Sequence, residues 1–193
     1  MFSRTLTYFV ASLLLIMSLA NSPAKADTIF DQTNTALPLG TLCQNVLVFS
    51  PLGQSFTPTL TSLNFVNLLT VGGSATVKVN ILSISGKILG TSQPTAIPFS
   101  LAPSASEFSF SAPVMLNQGQ AYIMEPIVVS GATLVGSTNA NTYSGGTQIL
   151  CGIPQPNNDL WFQEGVSVAE PGALLLLGVG IIGLLSTSLF RRR

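Results

Sequence analysis

Through the middle of the chain, apolar and polar positions alternate with a period of two. In residues 75–81, Val77, Val79 and Ile81 fall on one face and Lys78 and Asn80 on the other, the spacing of a half-buried strand. Residues 63–68 carry Leu63 and Phe65 on one side and Val66 and Leu68 on the other, which predicts a strand covered on both faces. Phe108 and Phe110 alternate with Ser109 and Ser111. Residues 121–124 read as a further strand ended by Pro126, and residues 159–163 as the last one. Clusters of Gly, Pro, Asn and Ser at 72–74, 85–87, 103–104, 117–119 and 144–146 supply turn chemistry between these runs. Residues 152–158 read as a Pro-rich loop, and 165–171 as a short tether. Short strands at intervals of about 8–12 residues predict an all-β sandwich over residues 27–168. Scattered prolines leave no room there for a helix of useful length.

The two ends follow other patterns. Residues 1–26 combine Arg4, the apolar run from Leu13 to Met17 and the small-x-small triplet Ala24-Lys25-Ala26. That is the layout of a secretory signal peptide cleaved before Asp27 by signal peptidase. Residues 172–190 carry no charge and are closed by Arg191, Arg192 and Arg193. As a helix this stretch reaches about 28 Å, close to the apolar thickness of a bilayer. The arginines favour the cytoplasmic side, and the N-terminal signal sends the body to the opposite one. The two ends therefore predict one orientation: a body exported across the inner membrane and held by a single C-terminal span.

The order Ala169-Glu170-Pro171, a glycine-punctuated apolar helix, then Arg191-Arg192-Arg193 resembles the PEP-CTERM sorting signal of Gram-negative bacteria, here residues 169–193. Ala169 stands where the motif has its first Pro; Glu170 and Pro171 match. The resemblance implies recognition by an exosortase-type membrane protease, removal of the tail, and release to the cell surface or the extracellular matrix. It also implies an association with exopolysaccharide. Inside the body, Gly53-Gln54-Ser55-Phe56-Thr57 with Leu60-Thr61-Ser62-Leu63 resembles the opening of choice-of-anchor domains. Pro113-Val114-Met115-Leu116 with Gly119 and Tyr122 is similar to their hairpin, and Asp159-Leu160-Trp161-Phe162 to their closing strand. That likeness implies a jelly-roll-like sandwich and no enzymology.

Composition narrows the chemistry. The chain of 193 residues has no His, which removes Ser-His-Asp and Cys-His catalysis and His-ligated zinc. Residues 27–166 hold two cations, Lys78 and Lys87, against Asp27, Asp31, Glu107, Glu125, Asp159 and Glu164. Such a mildly acidic body has no basic patch for nucleic acid. Cys43 and Cys151 are the only cysteines, and export predicts a disulfide between them. Closing so long a loop stabilises by about 4–5 kcal/mol in the chain-entropy model.

Three weaker readings remain. Paired carboxylates drawn from Glu107, Glu125, Asp159 and Glu164 are the one catalytic route open, that of a small glycoside hydrolase. Calcium is the one candidate cofactor: Asp27 and Asp31 near the start of the body, and Asn157, Asn158 and Asp159 before its last strand, offer oxygen ligands. Trp161, Phe162, Tyr122 and Tyr143 are the candidate platform of a carbohydrate-binding module. The leading expectation is a non-enzymatic structural or adhesive surface protein.

Overall fold

The computed structural model describes residues 27–36 and 42–168. The signal segment with Ala24 and Ala26, the motif at Ala169, Glu170 and Pro171, the apolar stretch and Arg191–Arg193 lie outside the described residues. Among the described residues the protein is all-β, and no helix is long and apolar enough to cross a membrane. Thr28–Ser167 forms one compact unit.

Among the described residues, fourteen strands build two antiparallel sheets. The first contains β1 (Asp27–Asn34), β2 (Leu42–Asn45), β4 (Ser62–Gly72), β8 (Ser100–Met115), β10 (Leu134–Thr138), β13 (Asp159–Leu160) and β14 (Phe162–Val168). The second contains β3 (Gly53–Phe56), β5 (Ala75–Ser83), β6 (Ile88–Thr91), β7 (Thr95–Ile97), β9 (Tyr122–Gly131), β11 (Gln148–Leu150) and β12 (Ile153–Gln155). Strand β4 is the spine of the first sheet, with β8 on one side and β14, then β10, on the other. Strand β9 holds the second together between β3 and β5.

The alternation seen in the sequence becomes the core. Val77, Val79 and Ile81 of β5 are buried and pack in one cluster with Leu63, Val66, Leu68, Phe108 and Phe162 of the first sheet. Burial of Phe65 and Leu69 as well as Val66 and Leu68 shows β4 covered on both faces, as its pattern predicts. Each fully buried side chain of this size contributes about 1.5–3 kcal/mol. Asn80, on the polar side of β5, is also buried, because β6 covers it and the Thr91 hydroxyl donates to its Oδ1 at 2.8 Å. Turns fall where the glycines stand: Gly86 and Gly119 have φ of 83° and 74°, a region open to Gly at little cost.

Several expectations fail for readable reasons. Pro126 does not end β9, which runs on to Gly131. It pairs with Val79, whose N–H and C=O both bond to Ser92 on the far side of β5. Pro126 therefore directs its missing N–H away from β5, past the point where β3 pairing stops at Met124. Pro103 does not make a turn but lies within β8, as does Pro113. Both prolines sit where the β4–β8 register shifts, and β8 borders the sheet, so neither breaks a regular ladder. The expected loop at 152–158 contains β12, joined to β11 by a two-residue turn at Cys151 and Gly152 with φ of 51° and 75°. The expected tether is strand as far as Val168, fixed by the Ser167 amide donating to Asn64 Oδ1 at 2.7 Å.

The expected disulfide is not made. Cys43 on β2 and Cys151 in the β11–β12 turn are exposed free thiols in elements of different sheets. Backbone bonds tie the early and late parts of the body instead: Cys151 N–H to Phe49 C=O at 2.9 Å and Gly152 N–H to Pro51 C=O at 2.9 Å.

Two measurements check this description. Phe108→Ala should cost about 3–5 kcal/mol in chemical denaturation with little change in slope, because Phe108 is fully buried between the sheets. Folded protein should react with two equivalents of a thiol reagent, and Cys151→Ser should change stability by under about 0.5 kcal/mol.

Candidate functional site

The chemistry-bearing residues gather where β1 and β14 meet the 139–147 segment and the end of β3. Asp159 is fully buried, yet its carboxylate is saturated. Oδ1 accepts from Gln54 Nε2 at 3.0 Å, and Oδ2 accepts from the backbone N–H groups of Thr142 at 2.8 Å and Tyr143 at 2.9 Å. Gln54 completes the link between the sheets, because its Oε1 accepts from the Leu160 N–H at 2.8 Å. Asn34 donates to the Leu160 carbonyl at 2.7 Å. Asp159 is thus a structural hub, since a buried carboxylate is tolerated when donors satisfy it.

Tyr143 carries the network onward. Its hydroxyl donates to Gln32 Oε1 at 3.0 Å and accepts from the Thr57 N–H at 3.2 Å. Its ring meets Phe162 edge-on, with centroids 5.0 Å apart. Burial, then the negative charges of Glu164, Asp31 and Asp159, push the phenol above its ordinary pKa against the pull of the Thr57 amide.

Beside it stand two carboxyl groups in opposite environments. Asp31, half-buried on β1, accepts from the Thr59 N–H at 2.8 Å, the Leu60 N–H at 2.9 Å, Gln32 Nε2 at 3.2 Å and the Thr59 hydroxyl. Burial raises its pKa, but these donors together outweigh burial and hold it below the ordinary value. Glu164 on β14 is fully buried, and neither oxygen meets a donor in hydrogen-bonding geometry. Burial, then the Asp31 charge, push it up to about 8, and a hydrogen bond with the Asp31 side chain adds to them; the Gln32 backbone N–H acts the other way. Near neutrality Asp31 is ionised and Glu164 holds a proton. No ion pair relieves either among the described residues, because Lys78 and Lys87 belong to β5 and the turn after it in the other sheet.

Of the four acids considered for catalysis, only Glu164 comes close to another carboxyl, and that partner is Asp31. Glu107 is exposed on β8 and accepts from the Ser109 hydroxyl at 2.8 Å; Glu125 lies on β9 opposite Asn80. Of the calcium candidates, Asp27 is exposed at the start of β1 and Asp159 is taken up by its amide donors. Among the described residues no three His, Cys, Asp or Glu side chains converge as metal ligands. Tyr122, Tyr143 and Trp161 are 5%, 7% and 9% exposed, so their rings face the interior and present no open face on which a sugar could stack. A groove of about 380 Å³ runs past Leu89, Gly90, Phe110 and Met115, and no titratable side chain lines it.

Sequence reasoning missed Gln32, Gln54 and the Asp31–Glu164 apposition. No local signal marks them, because the partners come from opposite ends of the body. No protein-family model matches the chain, and no curated protein matches it at a significant level.

The Glu164 proton carries a pH dependence with a definite sign. The folded state keeps this proton up to about pH 8, whereas an unfolded Glu releases it near 4.5. Its contribution is therefore full below about 4.5 and is lost as pH rises through about 8. The Asp31 contribution is lost only in the acid range, as pH falls through its lowered value. In chelator-containing buffer, denaturation at a series of pH values should show stability declining across that upper window. Glu164→Gln, a neutral isostere, should flatten the decline.

Proposed function

We propose that this is an exported structural or adhesive protein of the cell surface or extracellular matrix, built around a jelly-roll-like sandwich and without catalysis. In this reading signal peptidase cleaves before Asp27, and the 172–190 helix holds the body at the inner membrane. An exosortase-type protease then cuts at Ala169-Glu170-Pro171, and the body is released toward exopolysaccharide.

The observation that supports the reading is that β1 and β14, the strands that lead toward the two proposed processing junctions, are neighbours in one sheet. Gly165 of β14 lies so close against Ile29 of β1 that a Cβ there would meet its carbonyl. Enclosure of Glu164, together with donor saturation of Asp31 and Asp159, supports a non-catalytic body: none of these carboxyls is open to a substrate. Burial of Trp161, Tyr122 and Tyr143 counts against the carbohydrate-binding alternative.

Intact mass of the exported protein tests this reading. The expected product begins at Asp27 and lacks Arg191–Arg193; an exported product that retains the arginines overturns the processing step. Glu170→Ala should leave the tail attached.

A further inference from the structure

We infer that β1 is a docking edge on which a second copy of this chain pairs, β1 against β1 and antiparallel. A free strand edge offers a row of unpaired N–H and C=O groups, so β proteins blunt such edges with short strands, prolines or covering segments. Among the described residues every other border strand is blunted. β8 carries Pro103, Pro113 and two register shifts, and the Gln93 N–H and Thr95 hydroxyl cap its Ser109 and Glu107 carbonyls at 2.8 and 3.1 Å. β12 is three residues long with Pro154 at its centre. β6 has four residues, and β7 has three between Pro94 and Pro98. β2 has four and β13 two. β1 has eight, without Pro or Lys, and among the described residues it pairs with β14 alone.

Side-chain exposure marks the same edge. Successive side chains of a strand point to opposite faces, yet Asp27, Thr28, Ile29 and Phe30 are all exposed, Ile29 by 48% and Phe30 by 47%. Exposure on both faces means that no neighbouring strand covers this side. Phe30 already rests edge-on against Phe65, with ring centroids 5.7 Å apart, so the strand is held in place before a partner arrives. Charge selects the occupant and its register. Two-fold pairing of antiparallel strands sets one residue opposite its own copy. With Phe30 on the axis, Ile29 faces Asp31, Thr28 faces Gln32 and Asp27 faces Thr33 of the other copy. An aromatic pair then lies at the centre, and no acid faces another. With Ile29 on the axis Asp27 faces Asp31, and with Asp31 on the axis that acid faces itself. The strand is thus complementary to its own copy, and its two acids fix the register.

Self-pairing lies beyond the proposed export and processing, and its test is independent of both. Residues 27–168 hold the compact unit and its core; their sedimentation is followed from low micromolar to near-millimolar concentration. The expected result is a reversible monomer–dimer equilibrium, since two eight-residue edges make a small interface. Ile29→Glu sets two acids against Asp31 across the axis, whereas Ile29→Lys sets two cations there. The Glu variant should dimerise about tenfold more weakly than the Lys variant. Leu101→Glu, at a position 83% exposed on the blunted β8, should leave the dimer unchanged. As concentration rises, amide exchange should slow over residues 27–34 and not over 100–106. The same exchange comparison on the full chain in detergent micelles repeats the test without truncation. A monomer at every concentration overturns the proposal. So does a dimer that Ile29→Glu and Ile29→Lys affect alike, or one whose protection falls on β8.

Discussion

Buried acid without buried base is the constraint on which this structure depends. Asp159 and Glu164 are both fully enclosed, and the two lysines of the described residues sit in the other sheet. A buried carboxylate costs several kcal/mol unless something compensates it. The fold answers this in two ways. Asp159 is given three N–H donors, two of them backbone, and these bonds fix the 139–147 segment and join β13 to β3. Glu164, enclosed beside Asp31, is compensated by keeping its proton. One acid therefore organises the fold, and the other is a point of response to its surroundings.

This division explains where order in the protein comes from. The two sheets share one apolar core, but apolar burial alone does not fix how their edges meet. The polar chain Asn34–Leu160–Gln54–Asp159–Tyr143–Gln32 does so. Its members come from β1, β3, β13 and the segment after β10. Chain ends and middle are thereby tied by directional bonds in place of the covalent bridge between Cys43 and Cys151. Such bonds hold a geometry only while every buried group finds its partner, and among the described residues the Gln148 Nε2 and the Glu164 carboxyl are the exceptions.

Strand β1 is also the element next to the proposed processing junction. It borders the first sheet and rests on β14, and its first four residues are exposed. An edge strand has few contacts of its own to hold it. Its fastening at Asp31 therefore counts for more than the size of one residue suggests: Asp31 reaches across to Thr59 and Leu60 and faces Glu164.

Period-two alternation was enough to read the all-β class, the strands at β4, β5 and β9 and the core faces of Val77, Val79, Ile81, Phe108 and Phe110, because a strand's pattern is local and burial follows it. Turn glycines were legible for the same reason. The prolines misled, because whether Pro126, Pro103 or Pro113 breaks a strand depends on which side its missing N–H faces, and only the neighbouring strands decide that. The cysteines misled, because pairing depends on where two distant strands lie and not on an even count. Acid chemistry was half legible: Glu164, Asp31 and Asp159 stood out by type, but their roles did not. Whether a carboxylate becomes a satisfied hub, an ionised surface group or a proton-holding buried acid is set by the donors and dielectric around it, and those are supplied by residues far away in the chain.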